Sequence, residues 1–349
     1  MAEAYSPHFG RKIDPETEVT ITTGANEGML SAFMGFLEPG DEVIVFEPFF
    51  DQYISNIEMP GGKVVYVPMH PPKDGATKTT SAGEWTIDMK ELESKITDKT
   101  RMIVLNSPHN PVGKVFSKQE LQAIGDLCVK HNIIILSDEV YDRLYYVPFT
   151  RIATLSPEIA KLTLTVGSAG KNFYATGWRV GYLIGQEHLI KYVSAAHTRI
   201  CYSSVSPLQE ATAVAFEEAD KRGFWDESKR EMRGKMNRFN EIWDELGLPV
   251  SVVVFSIDWD LFFFLADDLC FVSVLRPRRR LLRPRQPLQS QTPLGLPFPT
   301  TRRQPTARLQ AQLVLHQRAG RCGNSSYGVF HGCECAYRGG LAAVCGVQG

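Results

Sequence analysis

The chain has 349 residues, of which 43% are hydrophobic and 22% charged, and its formal net charge is −1. At about 100–200 residues per domain this length suits two domains. The composition excludes a collagen, a coiled coil, a wholly disordered chain and a small disulfide scaffold, for which seven Cys are too few. The near-zero charge averages two unlike parts. Residues 1–249 hold 26 Lys+Arg against 34 Asp+Glu, whereas residues 250–349 hold 12 against 5, and those 12 are all Arg. Met1 is not followed by a basic and then an apolar run, so no secretory signal is expected. No uncharged apolar run approaches the ~18 residues of a membrane-spanning helix. These features predict a cytoplasmic protein with reduced thiols, a mitochondrial address being left open, and no membrane partner.

From the start, short β-branched apolar runs alternate with helical stretches. Strands are predicted at Val19–Thr23, Glu42–Phe46, Val64–Val67, Thr100–Leu105, Asn132–Ser137, Leu162–Val166 and Val180–Ile184. Helices are predicted at Asn26–Leu37 and at Ser117–His131, where Ser117 and Glu120 have the spacing of a capping box. Further helices follow at His188–His197, Ser206–Lys221 and Trp225–Leu246, the last closed by Gly247. The pattern predicts an α/β fold: a mostly parallel seven-stranded sheet sandwiched by helices. Residues 1–205 form the large domain and residues 206–249 the helical start of a smaller, incomplete one. Residues 250–349 show no sustained period, and seven Pro fall between 277 and 305, so no packed fold is expected there.

Ligands of open α/β sheets sit beyond the carboxyl ends of the strands. The residues found there are Gly24-Ala-Asn-Glu27, Glu47-Pro-Phe-Phe50, Asn106-Ser-Pro-His-Asn-Pro111, Asp138-Glu-Val-Tyr141 and Gly167-Ser-Ala-Gly-Lys171. Singly, each has an ordinary structural explanation: a strand-to-helix turn, a helix cap, a core aromatic, an ion-pair partner for Arg179. The segment Ser168-Ala-Gly-Lys171 fails as a phosphate loop, because Thr165 and Asn172 stand where Gly and Ser or Thr are required. It also fails as a serine-acylase motif, since the Ser-Asp-Asn and Lys-Thr-Gly segments are absent. A third reading makes Lys171 a Schiff-base lysine for pyridoxal 5′-phosphate. That reading gives every cluster work to do: a carboxylate for the ring nitrogen, donors for the phenolic oxygen, a flat group against the ring, and a cation with N–H donors for the phosphate.

These five segments, together with Lys171-Asn-Phe-Tyr-Ala-Thr-Gly-Trp-Arg-Val-Gly181, resemble in order and spacing the fold-type I, class I pyridoxal-phosphate aminotransferases. Within that family, Glu47-Pro-Phe-Phe-Asp51 and Gly167-Ser-Ala-Gly-Lys171 are most similar to kynurenine–oxoglutarate transaminases, also called cysteine-S-conjugate β-lyases. The resemblance runs from about Tyr5 to Pro249. It implies that Lys171 binds the cofactor aldehyde and later moves the substrate proton, and that Asp138 pairs with the ring nitrogen. It further implies that Asn110 and Tyr141 face the phenolic oxygen and that Phe50 stacks on the ring. Ala25, Asn26, Ser168 and Arg179 hold the phosphate, and Asn106 with Asn110 lies near the substrate carboxylate. The catalytic set so implied is Lys171, Asp138 and Tyr141, with no metal. His109 stands where the subgroup commonly has Asn. The family also implies a homodimer, and kynurenine or related aromatic or sulfur amino acids with 2-oxo acids as substrates.

Two departures accompany the resemblance. The family's segment preceding the point that matches Tyr5, and its arginine clamp for the substrate carboxylate, find no counterpart here, which predicts a chain that holds cofactor but turns over poorly. Residues 250–349 read as intron followed by shifted exon: Val250-Ser251 is a pair that splice-donor sequence encodes, and G/C-rich codons favour Arg over Lys. The grouping of Cys322, His331, Cys333 and Cys335 matches no zinc spacing. Arg276–Arg285 lacks the aromatic interleaving of a nucleic-acid binder, so no nucleic-acid partner is expected. Two other functions stay open: β-elimination or transamination of a different amino acid on the same fold, and a catalytically dead fold that acts as an interaction protein through its Arg-rich tail.

Overall fold

The computed structural model describes residues 1–247, 249 and 251–252. The expectations for the Arg-rich tail, its Cys and His residues and the shifted reading frame therefore fall outside the described residues. The described strands are β1 (Val19–Thr22), β2 (Glu42–Glu47), β3 (Lys63–His70), β4 (Thr80–Ser81), β5 (Thr86–Ile87), β6 (Thr100–Asn106), β7 (Ile134–Asp138), β8 (Thr163–Ser168), β9 (Gly181–Ile184) and β10 (Ser251–Val252). The helices are α1 (Ala2–Phe9), α2 (Ala25–Phe36), α3 (Gln52–Glu58), α4 (Met89–Ser94), α5 (Lys118–His131), α6 (Pro157–Leu162), α7 (Ala169–Asn172), α8 (Glu187–Ile200), α9 (Ser206–Ala219) and α10 (Phe224–Glu245). None of these helices is long and apolar enough to cross a membrane.

One eight-stranded sheet has the order β1-β9-β8-β7-β6-β2-β3-β5. Its centre, from β3 through β2, β6 and β7 to β8, is parallel. Strand β9 runs antiparallel to both of its neighbours, β1 and β8. The expected seven strands are all present. The eighth, β5, pairs antiparallel with β3 over two residues, too few for any alternation to register in the sequence. Strands β4 and β10 form a separate parallel pair.

The apolar runs read as strands because both faces of the sheet are covered. Val43, Val45, Met102 and Val104 face a core completed by Met29 and Phe33 of α2 and by Leu189 and Val193 of α8. Their alternates Ile44, Phe46, Ile103 and Leu105 face a second core completed by Leu121 and Ile124 of α5 and by Ile159 of α6. A third cluster packs Tyr5 of α1 against Tyr182 of β9 and Phe216 of α9.

The expected capping box is present at α5. Glu120 N–H donates to Ser117 Oγ at 3.3 Å, and Ser117 N–H donates to Glu120 Oε2 at 2.8 Å. Strand β7 begins at Ile134 rather than the expected Asn132, because Asn132, in the left-handed region at φ 53°, closes α5. At the end of α10, Gly247 takes φ 63° and donates its N–H to Asp244 O at 3.0 Å, as expected of a helix stop.

Candidate active site

Strand β1 is antiparallel to β9, and β9 is antiparallel to β8, so β1 runs with the parallel strands. The carboxyl ends Thr22, Glu47, Asn106, Asp138 and Ser168 consequently share one edge of the sheet. The register sets Asn106 beside Asp138 and seats Gly181 between Thr22 and Ser168. A Cβ on Gly181 would collide with the backbone of Ala25, so only glycine lets β9 pass this close to the start of α2.

Asp138 is buried. Tyr53 O–H donates to its Oδ2 at 2.5 Å, and Val140 N–H to its Oδ1 at 3.3 Å. Burial pushes the Asp138 carboxyl up; the two donors and the positive charge of Lys171 pull it back without cancelling the rise. Lys171 stands on the one-turn helix α7, its Nζ 5.8 Å from the ring centroid of the buried Tyr141. Phe50 is half-buried against the core and meets the Tyr53 ring edge-on at 5.6 Å. Asn110 is buried, its backbone N–H held by Asn106 Oδ1 at 2.6 Å while its own side-chain Oδ1 has no partner among the described residues.

A second group forms around the start of α2. Gly24, the residue before the helix, has φ 79°, and a Cβ there would run into the Arg179 guanidinium. Arg179 is itself left-handed at φ 53° and donates Nη1–H to Thr176 O at 3.1 Å. A guanidinium is thus held against free N–H groups of a helix start, which suits an anion. Asn26 accepts from Asn56 Nδ2 at 2.9 Å on its Oδ1. Ser168 is buried at the cap position of α7, and its hydroxyl caps no backbone N–H there. Glu27 braces this corner, its Oε2 accepting from Thr23 N–H at 2.9 Å and lying 2.9 Å from His197 Nδ1. Glu27, His197 and Cys201 offer three metal-type donor atoms within 4.8 Å of one another. Both Glu27 oxygens already serve as acceptors, Oε1 taking the Ser31 hydroxyl at 2.6 Å, so the group is read as a brace.

Asn106 and His109 flank the same strand end. Asn106 was expected near the substrate carboxylate. Its Nδ2 hydrogens go to Pro108 O at 3.1 Å and Asp138 O at 2.9 Å, and its Oδ1 accepts from Asn110 N–H. That makes it a tie between strand ends rather than a ligand contact. His109 is buried and 2.7 Å separates its backbone N–H from Lys114 O. Burial, then the Lys114 charge, lowers its imidazole to about 3, so it stands neutral.

Beneath the Lys171 turn lies a buried polar chain that the sequence did not announce. Tyr5 O–H donates to Asp142 Oδ2 at 2.9 Å and bonds the Tyr182 hydroxyl. Asn172 Nδ2 reaches Tyr182 Oη at 3.3 Å, and Arg151 pairs with Asp142 at 2.6 Å and with Glu139. The Asp142 carboxyl is held low despite its burial, chiefly by Arg151. These residues come from α1, α7, β9 and the stretch between β7 and α6, so no single local spacing marks them. Tyr53, two residues past the Glu47–Asp51 segment, carries no such mark either.

The family model for aminotransferases of class I and II matches residues 1–253. The chain belongs to that family. The aminotransferase family is pyridoxal-phosphate-dependent in general. Over 253 residues the chain is 56% identical to the probable kynurenine–oxoglutarate transaminase BNA3 of Saccharomyces cerevisiae, a match that covers 72% of this chain and 57% of that protein. It is 40% identical to kynurenine–oxoglutarate transaminase 3 of Bos taurus, covering 77% of this chain and 59% of the relative. The crystal structure of Bna3p from Saccharomyces cerevisiae superimposes with a TM-score of 0.71 at 55% identity, covering 73% of this chain and 60% of that one. This chain therefore spans well under two thirds of the length of these aminotransferases.

Proposed function

We propose that the chain is a pyridoxal-phosphate-dependent aminotransferase that moves the amino group of kynurenine, or a related aromatic or sulfur amino acid, to a 2-oxo acid. Residues 1–205 form its cofactor domain and residues 206–249 begin the second. The observation that carries this is Lys171 lying near enough to buried Asp138 for its charge to act on that carboxyl, at one sheet edge beside the Gly24–Arg179 anion cup. The residues fit the cofactor: a guanidinium at a helix start suits a phosphate, and the partnerless Asn110 amide oxygen marks a side chain, buried beside the strand ends, with hydrogen-bonding capacity to spare. When bound, the cofactor supplies an aldehyde and a pyridinium ring that withdraws electrons from the substrate Cα–H bond.

The chain's own residues do the rest. Lys171 would hold the aldehyde, and its amine would be the base that takes the proton from the substrate Cα. Asp138 keeps a proton on the ring nitrogen. Tyr141 and Asn110 would fix the phenolic oxygen, Phe50 would exclude water from the ring, and Ala25, Asn26, Ser168 and Arg179 would anchor the phosphate. The names of the relatives support kynurenine as substrate. A homodimer is what the family resemblance implies, and Tyr202, 81% exposed, is left open to solvent.

Incubation with pyridoxal phosphate should give a visible band that borohydride fixes to the protein, and Lys171→Ala should abolish the fixed adduct. An adduct that survives in Lys171→Ala overturns the site. Loss of kynurenine that depends on added 2-oxoglutarate supports the substrate class; pyruvate release from a cysteine conjugate without it supports β-elimination instead.

A further inference from the structure

Tyr53 is fully buried on α3, and a phenylalanine would fill the same space in the core between α2 and the sheet. Its hydroxyl therefore needs its own explanation. It reaches 85 residues along the chain to donate to Asp138 Oδ2 at 2.5 Å, while its ring sets the edge of Phe50. One turn further on the same helix, buried Asn56 donates to Asn26 Oδ1 at 2.9 Å. A seven-residue helix thus touches Asp138, Phe50 and Asn26, three residues of the proposed cofactor site.

We propose that Tyr53 is a positioning residue that keeps Asp138 ionised and aimed at the cofactor's ring nitrogen. The inference rests on the cofactor reading of the site. A carboxylate buried this deeply favours its neutral form, and a neutral carboxyl cannot keep a proton on a pyridine nitrogen. The groups that face Asp138 are Tyr53 from α3, the backbone N–H of Val140 and the Lys171 ammonium from α7. Val140's bond is long at 3.3 Å, and Lys171's charge is altered when it takes the aldehyde. Of the two donors that do not depend on Lys171, Tyr53 makes the shorter bond. Each carboxylate oxygen has two acceptor sites, so the bond to Tyr53 leaves room for the ring nitrogen.

The test is Tyr53→Phe in the cofactor-loaded protein, read by the pH titration of the visible band, by cofactor affinity and by competition with inorganic phosphate. Without the hydroxyl, Asp138 protonates more readily and the ring nitrogen loses positive charge. The nitrogen contributed by Lys171 then holds its proton more tightly. The midpoint of the visible band should rise by about one pH unit, and cofactor affinity should fall about tenfold, the size expected for one charge-assisted hydrogen bond. Competition by phosphate should stay as in the parent, because the anion cup is untouched. Replacing Tyr53 by 3-fluorotyrosine, a stronger donor of the same shape, should move the midpoint the opposite way. A Tyr53→Phe midpoint equal to the parent's overturns the proposal. So does a midpoint shift that comes with lost phosphate competition, which would mean a displaced helix. If the parent itself forms no Lys171-dependent band, the cofactor reading fails and this inference with it.

Discussion

Gly24 meets two demands at one backbone position. Its φ of 79° and ψ of 161° lie where a side chain is strained, and the space a Cβ would take is filled by the Arg179 guanidinium. Gly24→Ala should cost about 1–3 kcal/mol of stability through the backbone alone. The guanidinium, the flexible end of its side chain, should swing away from the helix start. Inorganic phosphate should then compete less well for the cofactor site; unchanged competition with lowered stability would separate Arg179 from the anion cup. Residues of this kind were legible in the sequence because their chemistry is unusual in itself: a lysine after a Ser-Ala-Gly run, an aspartate ending an apolar strand, an arginine before a Val-Gly pair. Their partners were not. Tyr53, Asn56 and Tyr182 are ordinary residue types, and what makes them matter is a side-chain contact across tens of residues of chain, to Asp138, Asn26 and Tyr5, while Arg151 reaches nine residues back to Asp142.

Helix α5 shows how far local rules reach at the scale of an element. Its start was readable as Ser117 and Glu120, and its end was readable once Asn132 is seen as a left-handed stop. What the spacing did not show is that Glu120 also pairs with Lys114 at 2.9 Å, a lysine whose side chain is 2% exposed. Ser117→Ala should therefore cost about 1 kcal/mol, the usual worth of a cap. Glu120→Ala should cost more, since it removes half of the box and leaves a buried ammonium that keeps its bond to Gly83 O at 3.1 Å but loses its counter-charge. Urea unfolding of the two variants orders them; equal losses would mean that the ion pair contributes nothing. Most of the elements missed in the sequence are short, α1 with eight residues being the longest of them. β4, β5, α3, α4 and α6 have between two and seven residues, less than two turns of helix or a few positions of alternation, and long-range packing decides them.

At the scale of the whole molecule, the alternation of strands and helices made the α/β class and the parallel centre readable, because strands buried on both faces cannot look like anything but continuous apolar runs. The antiparallel insertion of β9 between β1 and β8 was not readable, since a strand's direction depends on the path of the chain and not on its own residues. That buried centre also fixes how the protein responds to acid. His109 lies in its second layer, 6.5 Å from the Phe116 ring, with its imidazole lowered to about 3. The folded state keeps this histidine neutral, whereas the unfolded chain takes up a proton below about 6.5. The unfolded state thus binds more protons between those two values, and stability falls as pH drops through that window. By pH 4 the loss from this residue amounts to about 3 kcal/mol. His109→Asn removes the titrating group, so its unfolding free energy should decline less than the parent's between pH 6.5 and 4. Other groups, including half-buried His8, lowered to about 4 by burial and by Arg143 and Arg151, titrate alike in both proteins and cancel in the comparison. Parallel stability profiles for parent and variant over that range would show that His109 is protonated in the fold, and that the layer around it admits a charge.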